Sequence, residues 1–214
     1  SEKEFSDMIK LLSDRYSNKN FRLHIYLGVY YIKDVNETIR QMVDKVSLVI
    51  MKSKGNMSNY ILYYDENSYR NDIFKQQLIG EFETALNENQ FCMYLQPQTD
   101  KDGNMLGAEA LIRWQHPELG FISPGEFIPI FEENGFITEL DIYIWEHVCG
   151  FIEKMKNEHN KILPVSVNVS RKDIYKEGLP EILKSMVERH NLSPTYLHLE
   201  ITESAYMENT ENLL

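Results

Sequence analysis

AEALIRW, residues 108–114, is the stretch on which the reading of this chain turns. It follows a turn-like pentad, DKDGN at 100–104, and ends just before His116-Pro117. Strand side chains alternate between faces, so Glu109, Leu111 and Arg113 project together. Ala108, Ala110, Ile112 and Trp114 project the other way. A glutamate and an arginine on one face of an apolar strand each need compensation, because an unpaired buried charge is costly. Either they pair with each other, or they await a metal and an anion.

Working outward, the segments around this strand alternate in type. FCMYLQPQ (91–98) reads as a strand with Phe91, Met93 and Leu95 opposite Tyr94 and Gln96, and Pro97 ends regular pairing or marks an edge. Ahead of it, 73–87 carries helical spacing. After it, Ser123-Pro124 with Glu126 starts a short helix, and a longer amphipathic helix is predicted over 137–158. LPVSVNVS (163–170) is a strand, 179–190 a helix and YLHLEITE (196–203) a strand. Alternating strands and helices predict an α/β protein of parallel βα units. Only four strands are present from residue 91, whereas a complete eight-stranded barrel needs about 250 residues. A partial barrel and an open sheet covered on both faces both fit, and the polar residues at the strand ends favour the first.

Upstream, helical spacing covers 3–16, and 21–31 reads as a strand or hairpin rim. A helix capped by Asp34 is predicted to run to about Lys54, where Gly55 and Asn56 stop it, before a short strand at 60–64. This makes a small α/β lobe with little core of its own. The polar segment DENSYRND (65–72) marks the boundary, giving regions 1–70 and 71–214.

The chain has 214 residues and a formal charge of −11. That balance argues against an extended DNA or RNA surface, where phosphate neutralisation supplies much of the affinity. It leaves room for a small anionic ligand, because a metal and one or two arginines can invert the potential locally. No apolar run reaches the length of a membrane span. Cys92 and Cys149 lack close-spaced ligand partners and read as reduced thiols of a cytoplasmic protein. None of the six histidines has metal-ligand spacing.

Three polar positions recur on the strands: Glu109, Asn168 and Glu200. Two carboxylates and an amide oxygen form a hard donor set that suits Mg²⁺ or Mn²⁺. Gln96 adds a hydrogen-bonding amide and Arg113 an anion-binding fork. The set points to a phosphate ester, against the alternative of a Glu109–Arg113 ion pair with structural polar groups around it.

At these residues the chain resembles the EAL domains, the bacterial cyclic di-GMP phosphodiesterases. The resemblance rests on QPQ (96–98), EALIRW (109–114), SPGEFIPIFEENGFI (123–137), VNVS (167–170) and EITES (200–204). It covers roughly residues 76–214, the first half of such a domain. It implies a partial (β/α)8 TIM-like barrel whose first strand runs antiparallel. It implies that Glu109, Asn168 and Glu200 ligate metal in a two-metal site, and that Gln96, Leu111 and Arg113 contact cyclic di-GMP. Glu203 resembles a residue that positions a loop beside the metals. The implied reaction is metal-dependent hydrolysis of one phosphodiester bond to give linear pGpG, in signalling. The family's later ligands, beginning with a paired-aspartate motif, fall beyond Leu214, so this chain alone is expected to be inactive. A non-catalytic binding or regulatory module is the alternative. A half barrel leaves an open sheet edge, so self-association is expected.

Residues 1–70 resemble, with lower specificity, the C-terminal part of a degenerate GGDEF domain. That likeness lies in FRLHIYLGVYYIKD (21–34), MVDKVSLVIMKSKGN (42–56) and ILYYDE (61–66), without the GGDEF signature itself.

Overall fold

A computed structural model describes residues 2–17, 23, 25–52, 61–159 and 162–201. By packing, the chain divides into two units, Ser1–Phe74 and Lys75–Leu214.

The first unit contains α1 (Glu2–Tyr16), β1 (Leu27–Val29), α2 (Ile39–Lys52) and β2 (Ile61–Tyr63). β1 and β2 pair in parallel over three residues each. The strand expected over 21–31 is therefore shorter, because its ladder partner supplies only three positions; Phe21, Arg22 and His24 lie outside the described residues. α2 also begins later than expected. Asp34 Oδ1 accepts from the Asn36 amide at 2.9 Å, closing a turn, so it does not cap the helix. Thr38 and Gln41 form the cap instead: the Thr38 amide donates to Gln41 Oε1 at 2.9 Å, and the Gln41 amide to Thr38 Oγ1 at 3.3 Å. Glu37 is engaged by the Tyr30 hydroxyl at 2.8 Å and by Lys45. Ile9 is the one fully buried side chain among the unit's described residues, in keeping with a lobe of little core.

α3 (Glu66–Asn87) starts seven residues before the expected position and includes most of the polar segment read as a boundary. Asp65 Oδ2 accepts from the Ser68 amide at 2.8 Å, and Arg70 pairs with Glu66 at 2.8 Å one turn away. Solvated helical surface and non-helical loop share a composition, which is why the helix start is read too late.

The second unit continues with β3 (Phe91–Thr99), β4 (Met105–His116), β5 (Gly120–Ile122), α4 (Pro124–Asn134), α5 (Ile137–His159), β6 (Val165–Val169), α6 (Arg171–Ile174), α7 (Leu179–Arg189) and β7 (Leu197–Ile201). The sheet order is β3-β4-β6-β7, with β5 paired to β4. β3 and β4 are antiparallel, whereas β4–β6 and β6–β7 are parallel. This is an α/β fold with the features of an open, incomplete barrel, its first strand antiparallel. The DKDGN turn is closed by Asp100, whose Oδ1 accepts from the Asp102 and Asn104 amides at 2.9 Å each. The β5 strand and the one-turn helix α6 are not anticipated from the sequence, being too short to leave a periodic signal.

The apolar face of the sheet makes the core. Ala110, Val165, Val167, Val169 and Leu197 pack with Trp145, Val148 and Ile152 of α5 and Met186 of α7. Beside it, Phe82, Phe91, Trp114, Phe127 and Phe131 form an aromatic cluster. At the base, the Ala108 amide donates to the Pro164 carbonyl at 3.1 Å. A β-carbon on Gly107 would lie 2.7 Å from that same backbone oxygen. Gly107→Ala is therefore expected to destabilise the unit by about 1–3 kcal/mol, read as a lower denaturation midpoint in urea.

α5 and α7 are clamped at the surface by His190. Its Nδ1 lies 2.7 Å from Glu153 Oε2, and its Nε2 lies 2.9 Å from Glu146 Oε1. Burial pulls the imidazole down, but the hydrogen bonds to Glu153 and Glu146 outweigh it and hold the group above its usual value near 6.5. A raised folded value means stability fully present below the unfolded value and lost as pH rises through the folded one. His190→Gln is expected to flatten stability against pH above neutrality, measured by thermal unfolding at constant ionic strength.

Candidate functional site

The alternation read from AEALIRW carries through the sheet. Register sets Gln96 opposite Glu109, Glu109 opposite Ser166, and Asn168 opposite Glu200. All of these side chains share the face opposite the core. Glu109 and Asn168 meet directly, with Asn168 Nδ2 donating to Glu109 Oε1 at 3.0 Å. Glu200 is held by Gln98, whose Nε2 donates to its Oε1 at 3.3 Å. On a flat sheet β3 and β7 would be three strand spacings apart, about 14 Å. The bond between their side chains shows the sheet curling so that this face becomes concave. Gln98 is a residue that sequence reasoning misses; its period-2 relation to Gln96 is the available signal.

The Glu109–Arg113 ion pair is not formed. Four residues along a strand separate their α-carbons by about 13 Å, beyond direct reach. Arg113 instead donates from Nη1 to the Ile112 carbonyl at 2.8 Å, and its guanidinium lies 5.5 Å from the Tyr94 ring centroid. One hydrogen bond to a carbonyl leaves most of its donors available to an anion.

A cavity of about 280 Å³ adjoins this rim. Leu111 and Arg113 line it from β4, Ile128 from α4, Asp141 from α5, and Asn168 and Ser170 from β6 and its exit. Glu109, Glu200 and Gln96 are not among its walls. Gln96 is exposed on the first strand, and Glu203 lies outside the described residues. The structure thus brings Glu109, Asn168 and Glu200 to one face, with Asn168 joining that cluster to the cavity shared by Leu111 and Arg113.

The backbone behind Asn168 is fixed from α5. Trp145, 1% exposed, donates from Nε1 to the Asn168 carbonyl at 3.1 Å. Because Asn168 Nδ2 is spent on Glu109, its Oδ1 is the amide atom left to a cation. The donors present are all oxygen and fit a hard divalent ion. Among the described residues no group of three or more His, Cys, Asp or Glu side chains is placed to hold a metal. The two thiols are free; burial pushes that of Cys149 up to about 11, which leaves it an inert core group.

Fold and rim together define an α/β protein of incomplete barrel type with an acidic, oxygen-rich cluster on its concave face. The family model described as "EAL domain" matches residues 79–214, and the chain belongs to that family. It is 26% identical over 207 residues to the bifunctional diguanylate cyclase/cyclic di-GMP phosphodiesterase MucR of Pseudomonas aeruginosa, covering 95% of this chain and 30% of that protein. It is 26% identical over 189 residues to the cyclic di-GMP phosphodiesterase NbdA of the same organism, covering 88% of this chain and 24% of that protein. Among solved structures, the PaMucR phosphodiesterase in complex with c-di-GMP matches with a TM-score of 0.58 at 32% identity, covering 62% of this chain and 54% of that one. The chain thus spans less than a third of the length of these two curated relatives. The family match does not extend to residues 1–70. No helix among the described residues is long and apolar enough to cross a membrane.

Proposed function

We propose that this chain carries the first half of a catalytic domain that hydrolyses cyclic di-GMP to linear pGpG with Mg²⁺ or Mn²⁺. The observation that carries this reading is the direct Glu109–Asn168 contact, with Glu200 in register beside Asn168 on the next parallel strand. In it Glu109, Asn168 and Glu200 hold metal, which when bound polarises a phosphoryl oxygen and lowers the pKa of its water. Arg113 supplies donors to a phosphate at the cavity wall beside Leu111, and Gln96 offers an amide from the first strand. Glu203, outside the described residues, is in the same reading the residue that positions a loop beside the metals. The relatives named as cyclic di-GMP phosphodiesterases support the substrate. The lobe at residues 1–70 is, in the same reading, the end of a degenerate GGDEF domain whose contribution is regulatory, and the protein acts in the cytoplasm.

The test is turnover of cyclic di-GMP by the full-length protein with Mn²⁺, alongside calorimetric titration of nucleotide. Hydrolysis to pGpG supports the reading. Tight nucleotide binding without turnover would move the assignment to a receptor or regulatory module, and neither binding nor turnover would sink it. At the open edge, Leu199 and Ile201 are 45% and 44% exposed on β7. Self-association of the 214-residue chain through this edge is expected, seen as a mass above that of a monomer in light scattering.

A further inference from the structure

Close to Asn168, but outside the metal set, two carboxyl groups are packed against each other. Asp173 on α6 is fully buried. Its Oδ2 accepts from the Ser170 amide at 2.7 Å and from the Ser170 hydroxyl at 2.5 Å. Its Oδ1, also buried, has no hydrogen-bond partner among the described residues. A buried acceptor of this kind costs free energy unless something donates to it. Asp141 on α5 stands within hydrogen-bonding reach of Asp173 and Ser170. It keeps some accessible surface where it lines the cavity, and protein encloses its other sides.

We infer that Asp141 is a positioning residue: its protonated carboxyl donates to Asp173 Oδ1, and through Asp173 and Ser170 it locks the chain directly after Asn168 to helix α5. Two ionised carboxylates in this packing would repel, so one proton shared between them is the arrangement that satisfies both. Burial, then the hydrogen bond and charge of Asp173, then the charge of Glu132, push Asp141 up to about 9; the Ser170 hydroxyl opposes them. The charged groups around Asp141 are Asp173 of α6, Glu132 of α4 and Arg113 of β4, the last sharing the cavity wall. Asp141 is remote in sequence from every proposed ligand, and Asp173 lies five residues after Asn168. The anchor complements Trp145, which holds the Asn168 carbonyl from the same helix. The role rests on the proposed function only in saying what the lock is for; the lock itself is a statement about the fold.

Backbone NMR of the 214-residue chain tests it without metal or nucleotide, using the Ser170 amide as reporter of the 2.7 Å bond. In the unmodified protein the Ser170 amide resonance is expected to shift with a midpoint near pH 9, as Asp141 ionises. Asp141→Asn, a neutral donor of the same shape, should hold the low-pH position throughout and abolish the titration. Asp141→Leu should lose about tenfold in Ser170 amide exchange protection, the size of one hydrogen bond to a charged group, even at pH 7. Should Asp141→Leu fail to fold, Asp173→Asn replaces it, with the same loss expected. A Ser170 resonance that does not move with pH in the unmodified protein would overturn the inference. So would full protection in the variant lacking the Asp141 donor or the Asp173 carboxylate. Because neither measurement involves hydrolysis, an inactive full-length protein with a titrating Ser170 would remove the proposed function and leave the lock standing.

Discussion

Trp114→Ala is expected to lower the stability of the second unit by about 3–5 kcal/mol, the usual cost of emptying a buried aromatic site. Trp114 has no accessible surface. Its ring packs against Phe91 at 4.8 Å, Phe127 at 5.7 Å and Phe131 at 5.8 Å between centroids, joining β3, β4 and α4. Its Nε1 donates to Gln90 Oε1 at 3.0 Å, a bond that alanine cannot replace. The neighbours are themselves interlocked, with Phe82 stacked on Phe136 at 4.7 Å, so the site cannot collapse cheaply around a void. Denaturant unfolding monitored by circular dichroism reads the loss, and Trp114→Phe should recover part of it. A cost under about 1 kcal/mol would show that the aromatic cluster is not what anchors the first two strands.

The second large effect concerns chemistry. On the proposed function, Glu109→Gln is expected to lower turnover of cyclic di-GMP by the full-length protein on the order of 100-fold or more, and to weaken Mn²⁺ binding. The substitution keeps the side chain's shape, and the carbonyl oxygen of the new amide could still accept from Asn168 Nδ2, as the Glu109 carboxylate does at 3.0 Å. What it removes is the negative charge that the proposed function sets against the cation. The fold should therefore be unchanged, and thermal unfolding of the variant checks that directly. Arg113→Ala should differ in kind, raising KM while leaving Mn²⁺ affinity near its starting value, because Arg113 lines the cavity and forms no ion pair with Glu109 or Glu200. Unchanged metal binding and turnover in Glu109→Gln would place the chemistry elsewhere.

Much of this molecule is legible from local pattern. The alternation in residues 91–98 and 108–114 places every side chain on its observed face, because strand geometry depends only on adjacent residues. The same holds for the amphipathic α5 and for the capping box at Ser123 and Glu126, where the Ser123 amide donates to Glu126 Oε2 at 3.0 Å. Local signals mislead where two devices share a composition. Asp34 resembles a cap but closes a turn, and the polar residues 66–72 read as a break ahead of a helix but form its first turns.

By itself the sequence determines most of the element types of the second unit, the α/β class and the family, and it singles out Glu109, Asn168, Glu200 and Arg113 as candidates. Only the tertiary structure decides what those residues touch. Asn168 reaches Glu109 across 59 residues of chain, and Gln98 reaches Glu200 across 102. It also decides that Glu109 and Arg113 stay apart, and that Asp141 meets Asp173. The physical reason is that periodicity records which face a side chain takes, whereas its partner is set by strand order, register and sheet curvature, which arise when distant segments pack together.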